Sequence, residues 1–494
     1  MAQIKVNDLT FCYEGSYDNI FEHVSFQIDT DWKCGFIGRN GKGKTTFLRL
    51  LMGQHEYTGT ISRGIEFAYF PYKISDGNKM TMEILEELNM EVELWKVCRE
   101  LELLSVDTEV LGRNFSTLSG GEQTKVLLAL LFSGENRFLL IDEPTNHLDM
   151  EAREKVAEYL KKKKGFLLVS HDRRFLNTCI DHVLAIERQN ITVMQGNFAS
   201  WWEQKSRRDA FALAKNEKLL KDISRLEAAA RKTEGWSDKI EKTKFGTRIG
   251  GLRPDRGHIG HKSAKMMKRA KNAQRRMEEA ASEKEGILEN LESTEELKLF
   301  PLSFHKERLV EAEHLSLFYG DRAVCQDVSF QLKGGEQLVL TGRNGCGKTS
   351  ILKKVLGEEI KTEGILRTPF GIQISYVPQD VSHLSGNLME YALEREIPEH
   401  LFLALLRKLD FPRIQFEKDM SCYSQGQKKK VALASSLLTR AHLYIWDEPL
   451  NYIDVFSRIQ LAQLIREYRP SMLLVEHDES FLEEIGAVQI RLKN

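Results

Sequence analysis

Gly38-Arg39-Asn40-Gly41-Lys42-Gly43-Lys44-Thr45 lies between an apolar run and a helical pattern, and the chain writes it again as Gly342-Arg343-Asn344-Gly345-Cys346-Gly347-Lys348-Thr349. Both copies fit GxxxxGK[ST] in the strand-then-helix context that this phosphate-binding loop needs. Gly38, Gly41 and Gly43, like Gly342, Gly345 and Gly347, let successive backbone N–H groups curl around phosphate oxygens. The following helix N-terminus adds positive potential. Lys44 and Lys348 place a point charge on the terminal phosphates, and Thr45 and Thr349 offer hydroxyls to Mg²⁺. Asn40 and Thr46, with Asn344 and Ser350, complete the two candidate nucleotide sites.

The surroundings of the two loops repeat as well, at an offset of about 305 residues. "VSFQIDTDWKCGFI" precedes the first and "VSFQLKGGEQLVLT" the second. Downstream come "FLLIDEPTNHLD" from Phe138 and "LYIWDEPLNYID" from Leu443, then "FLLVSHD" and "LLVEHD". Apolar runs alternating with helical patterns indicate an α/β core with a parallel sheet. Two domains are expected, at 1–202 and 306–494, the second running to the chain end without an extension. Residues 203–305 differ. From Met266 the positions Ala270, Ala273, Met277, Ala280, Ile287 and Leu291 follow heptad spacing, and Leu213, Leu220, Ile223 and Ala230 form a looser seam upstream. An antiparallel helical hairpin is predicted, with a glycine-rich tip at about 246–260.

Composition narrows the class. The chain has 494 residues, net charge −1 and 41% hydrophobic residues, which suits about three globular domains at roughly 150 residues each. No apolar stretch is long enough to span a bilayer. "MAQIKVNDLTF" lacks a signal-peptide core, and seven cysteines without CxxC pairs read as reduced thiols, so a cytoplasmic location is expected. Charge is segregated: residues 239–276 hold thirteen Lys or Arg against Glu241 and Asp255, net +11, leaving −12 for the remainder. Such a stretch is an electrostatic footprint for a polyanion, and by itself it does not separate RNA from DNA or acidic lipid. Arg248, Arg253, Arg256, Lys262, Lys265, Lys268, Arg269, Lys271, Arg275 and Arg276 are its candidate RNA contacts.

The second ring of candidates does chemistry. Asp142 and Asp447 end apolar strands and suit Mg²⁺. Glu143 and Glu448 follow them and suit orienting or deprotonating an attacking water. His171 and His477 end the next strands, within reach of a γ-phosphate. Tyr13 and Tyr319 precede the loops and suit stacking on adenine.

"LSGGEQTK", Leu118 to Lys125, completes an order that resembles the ATP-binding cassette superfamily across both halves: aromatic, P-loop, signature, strand with Asp-Glu, histidine. The resemblance implies two ATP and Mg²⁺ sites formed head to tail, each signature closing on the opposite P-loop. Ser119, Gly120 and Gly121 would then complete the Lys348 site, and Ser424 and Gly426 the Lys44 site. The Lys44 site departs twice from the family pattern. Its signature has Gln425 in place of the first glycine, and "YFPY" ends in Tyr72 where "YVPQ" ends in Gln379, which the family uses on Mg²⁺ and water. An asymmetric ATPase is expected, with faster hydrolysis at Lys348.

A fused pair of cassettes around a basic helical linker resembles the ABC-F group, and "GHKSAKMMKRAK" and "AHLYIWDEPLNYIDV" resemble its Lsa-type antibiotic-resistance members. This implies a monomer that uses ATP to enter the E site of the bacterial ribosome. There it contacts large-subunit rRNA, displaces P-site tRNA and clears lincosamides, streptogramin A and pleuromutilins from the peptidyl-transferase centre. It implies no DNA or membrane partner. A housekeeping translation factor of the same group and, further off, a transporter ATPase are the alternatives.

Overall fold

The computed structural model describes residues 3–13, 19–62, 64–89, 93–146, 148–187, 189–243, 268, 272, 275–276, 299–409 and 411–492. The chain divides into two compact units, Met1–Trp201 with Glu295–Asn494, and Trp202–Thr294.

In the first unit each half builds two sheets. The first half has strands β1 (Gln3–Phe11), β2 (Phe21–Asp29), β3 (Lys33–Ile37), β4 (Thr58–Ser62), β5 (Glu66–Phe70), β6 (Arg137–Asp142), β7 (Phe166–Val169), β8 (His182–Glu187) and β9 (Asn190–Gln195). An antiparallel sheet runs β2-β1-β4, and a six-stranded sheet runs β5-β6-β7-β3-β8-β9. The latter is parallel except where β9 turns back on β8. The second half has β10 (Arg308–Tyr319), β11 (Arg322–Lys333), β12 (Gln337–Thr341), β13 (Lys361–Arg367), β14 (Ile374–Val377), β15 (Leu443–Asp447), β16 (Met472–Val475) and β17 (Val488–Arg491). Its sheets run β11-β10-β13 and β14-β15-β16-β12-β17, the same order again but, among the described residues, without a counterpart of β9.

The two sheet types have different sequence signatures. Every residue of β7, β15 and β16 is buried, so these strands read as unbroken apolar runs. Strand β1 buries Ile4, Val6 and Leu9 but exposes Gln3, Lys5 and Asn7, a one-faced pattern. The antiparallel sheets are therefore an addition to the parallel core expected from sequence. Phe36, Phe47 and Phe138 anchor the first core, and Trp446 and Tyr444 lie fully buried in the second half.

One continuous helix of 46 residues, Phe198–Thr243, starts in the last residues of the first unit's opening segment and continues as the start of the second unit. At 1.5 Å per residue it is about 69 Å long. Of the upstream seam positions Ile223 is buried, with Ala212 beside it on that face, whereas Leu213 and Leu220 are exposed. The heptad from Met266 and the tip at 246–260 lie outside the described residues. Among the described residues no helix is long and apolar enough to cross a membrane, and all seven cysteines are unpaired.

Candidate functional site

Each phosphate loop follows the C-terminal end of a central strand, β3 or β12, and opens an eight-residue helix, Lys44–Leu51 or Lys348–Val355. The turn into the helix needs glycine. Gly43 has φ 97°, and a Cβ there would sit 2.5 Å from Ile20 Cγ2. Lys44 Nζ donates to the carbonyl of Gly38 at 2.7 Å and to Asn40 Oδ1 at 3.2 Å. Lys348 Nζ repeats this on the carbonyls of Gly342, at 2.7 Å, and Arg343, at 3.0 Å. Both ammonium groups are buried within the loops they serve. Burial draws the Lys44 ammonium below the usual lysine value, against the pull of Asp454 and Glu143.

The neighbouring strand ends bring the carboxylates. Asp142 ends β6 and Asp447 ends β15. The next residues, Glu143 and Glu448, adopt φ 51° and 46°, a left-handed conformation that bulky L-residues rarely take. Their backbone N–H groups bond the carbonyls of Val169 and Val475 on the adjacent strands, both at 2.9 Å, which holds the turn. His171 Nε2 lies 3.3 Å from Glu143 Oε1, and His477 Nε2 lies 3.8 Å from Glu448 Oε1. Burial keeps both imidazoles neutral: it takes His477 down to about 3 and His171 well below the ordinary histidine value.

Two clefts collect these groups, and each takes walls from both halves. A cleft of about 540 Å³ holds Tyr13, Asn40, Gly41, Gly43, Lys44, Thr45, Thr46, Glu143 and His171 from the first half. Facing them are Ser424, Gln425, Gly426 and Tyr452 from the second. A cleft of about 910 Å³ joins Asn344, Gly345, Gly347, Lys348, Thr349, Ser350, Gln379, Glu448 and His477 to Gly120, Gln123 and Leu148 of the first half. The halves thus stand head to tail. Asn40 Nδ2 donates to the Tyr452 carbonyl at 2.7 Å, Arg173 Nη2 pairs with Glu484 Oε2 at 2.7 Å, and Arg343 Nε reaches Glu151 Oε2 at 3.3 Å. Ser119 and Ser424 cap the signature helices Gly120–Ser133 and Gln425–Leu438 in matching capping boxes with Glu122 and Gln427.

Some expected residues stand apart from the cleft walls. Gly38 and Gly342 act through their carbonyls, and Gly121 sits beside Leu148. Tyr319 ends β10 half exposed, whereas Tyr13 lines its cleft with its hydroxyl bonded to the Thr46 hydroxyl at 2.8 Å. Lys268, Arg275 and Arg276 are helical and exposed. Arg248, Arg253, Arg256, Lys262, Lys265, Arg269 and Lys271 lie outside the described residues.

The two candidate catalytic carboxylates are held differently. Glu448 Oε2 accepts from Gln379 Nε2 at 2.8 Å and from Asn451 Nδ2 at 2.7 Å. Glu143 Oε1 has no aligned donor, and burial beside Asp142 raises its carboxyl toward neutrality. The sequence reading passed over Tyr69, Asn451, Tyr452 and Lys429. Only the alignment of the two halves marks them: Tyr69 falls opposite Tyr376, and Lys429 opposite Thr124. Tyr69 donates to Asp142 Oδ2 at 3.2 Å, beside Thr45 Oγ1 at 3.0 Å.

The residues fit a divalent cation with a bound nucleotide. Asp447 is fully buried and neither of its carboxylate oxygens meets an aligned donor, with the Thr349 hydroxyl beside it, which is the seat a cation fills. Burial, with Glu448 beside it, pushes the Asp447 carboxyl up to about 6. Mg²⁺ would be held by Thr349, Asp447 and Gln379 in one cleft and by Thr45 and Asp142 in the other. When bound it neutralises charge on the phosphate oxygens.

Known proteins bear on this geometry. The family described as "ABC transporter" matches residues 21–146 and 325–451, together about half of the chain. The ribosome protection protein VmlR of Bacillus subtilis (strain 168) is 27% identical over 496 residues, covering 98% of this chain and 85% of its own length. The erythromycin resistance ATP-binding protein MsrA of Staphylococcus epidermidis is 27% identical over 480 residues, covering 95% and 93%. Among solved structures, the complex of an archaeal ribosomal stalk protein with the ribosome recycling factor aABCE1 aligns with TM-score 0.63 at 20% identity, over 99% of this chain and 87% of that one. At that identity the likeness is one of fold.

Proposed function

The chain belongs to the ABC transporter ATP-binding family and is an ATPase with two cassettes, and from that premise we propose that it is an ABC-F ribosome-protection factor. ATP in the two clefts draws the cassettes together, and the closed form enters the E site of the bacterial ribosome. There the basic linker meets rRNA and P-site tRNA. Displacement of that tRNA and the advance of the tip toward the peptidyl-transferase centre clear lincosamides, streptogramin A and pleuromutilins. Hydrolysis removes the γ-phosphate contacts and releases the protein. The drug needs no pocket on the protein, only an rRNA and tRNA arrangement that favours the drug-free state.

One observation carries the reading: each cleft takes its phosphate loop from one cassette and its signature from the other. Nucleotide therefore has a differential affinity for the closed form, which a conformational change driven by ATP requires. The names of the curated relatives and the net charge of +11 on residues 239–276 supply the direction. Residues positioned for the reaction are Glu448, to orient the attacking water, and His477, to touch the γ-phosphate as a neutral donor. The Lys348 site is the faster one, because Gln379 and Asn451 hold its glutamate. The protein works in the cytoplasm as a monomer.

The test is co-sedimentation of the Glu143→Gln, Glu448→Gln protein with ribosomes, with and without ATP. Binding should depend on ATP and persist after washing. Equal binding without nucleotide overturns the proposal. Alanine substitution of the Lys and Arg residues across 262–276 should weaken binding and flatten its salt slope by roughly one per lost phosphate contact. Expression in a drug-sensitive host should raise resistance to the three drug classes; an unchanged susceptibility would leave a housekeeping role instead.

A further inference from the structure

The helix Gln425–Leu438 buries three consecutive lysines, Lys428, Lys429 and Lys430. Two have ordinary partners. Lys428 Nζ caps the Ser382 carbonyl at 2.7 Å, and Lys430 Nζ lies 3.5 Å from Asp454 Oδ2. Lys429 is different. Its side chain is fully buried, and Nζ donates to three backbone carbonyls: Pro378 at 2.8 Å, Gln379 at 3.2 Å and Asp447 at 3.3 Å. An ammonium has three donors, and here all three are spent on two chain segments. Burying a charge this way is costly unless every donor is satisfied, so the position is more than a filler of space.

Those two segments matter to the reaction. Strands β14 and β15 pair as far as Val377 and Trp446. Beyond that point the loop carrying Pro378 and Gln379 leaves the sheet, and its carbonyls need donors from elsewhere. Lys429 supplies them, and in doing so fixes the loop to the strand end that presents Asp447 and Glu448. Gln379 Nε2 then meets Glu448 Oε2 at 2.8 Å.

The first cassette is an internal control. Thr124 occupies the corresponding helix position, and its hydroxyl bonds back to the Gly120 carbonyl at 2.9 Å within its own helix. The corresponding loop residue is Tyr72, and Glu143 Oε1 lacks an aligned donor. Lysine and glutamine occur together in one copy, threonine and tyrosine together in the other. We infer that Lys429 is a positioning residue of the Lys348 site, a tether that holds the Gln379 loop against the strand end and so presents Gln379 to the catalytic glutamate. The inference rests on ATP hydrolysis at that site and on nothing about the ribosome.

Purified full-length protein without ribosomes tests it, with ATP turnover and ATP affinity measured for Lys429→Thr, Lys429→Met, Gln379→Ala and the Lys429→Thr, Gln379→Ala double variant. Loss of the tether should lower kcat roughly tenfold and leave ATP affinity within about twofold, the split expected when transition-state positioning alone is lost. The double variant should be no slower than the slower single variant, because both changes remove one interaction. Unchanged kcat, a parallel fall in affinity and kcat, or losses that multiply in the double variant would each overturn the tether. Turnover of the parent protein tests the ATPase reading by itself, so the two failures are told apart.

Discussion

The clefts around Lys44 and Lys348 are built from the same parts in the same strand order, yet they hold their reacting groups differently. At Lys348 the glutamate accepts two side-chain amides, the aspartate meets no aligned donor, and an ammonium braces the adjoining loop. At Lys44 the aspartate accepts from Thr45 and Tyr69, while the glutamate has no aligned donor on Oε1 and is raised toward neutrality by burial. A carboxyl raised by burial and held by no side-chain amide is the less well placed of the two to orient water. Duplication preserved the fold of the site and let the second layer of side chains diverge. On the proposed reading the Lys44 cleft chiefly binds nucleotide and the Lys348 cleft turns it over faster.

Four comparisons, six substitutions in all, probe that contrast, beginning with the largest effect. Glu448→Gln should lower ATP turnover by about a hundredfold or more, within the range for losing a general base, while Glu143→Gln should cost only severalfold. Phosphate release measured on both variants decides it, and equal losses would break the comparison. Gln379→Ala should reduce kcat by roughly tenfold, against about twofold for Tyr72→Ala, since only Gln379 bonds the glutamate. Gln425→Gly gives the Lys44 site a signature free of a side chain at its first helical position. It should tighten ATP binding there by about threefold, as closer backbone approach to phosphate allows; titration with a fluorescent nucleotide reads this out. Arg173→Ala removes the ion pair with Glu484 across the cassette boundary. Such partly exposed pairs are worth about 0.2–1 kcal/mol, so the ATP concentration needed for closure should rise by no more than about fivefold.

Much of this was readable in the residues, for a physical reason. Strands buried on both faces leave unbroken apolar runs, and a phosphate loop needs glycine where φ is positive, as at Gly43 and Gly347. Both leave marks on the sequence itself. The antiparallel sheets left weaker marks, because β1 and β11 alternate and are interrupted by register shifts. Side chains that act through backbone carbonyls left none. A lysine such as Lys429 in a run of three looks like a solvated face until the loop that it bonds is seen beside it. Leu213 and Leu220 mislead in the opposite sense, being apolar at plausible spacing on a face that is exposed.

Both walls of each cleft belong to one polypeptide. If the protein acts as the proposed monomer, closure is an intramolecular event, set by an effective local concentration rather than by how many copies a cell contains. Diluting the protein should leave turnover per molecule unchanged. A handful of molecules would serve as well, each for each, as a large stock.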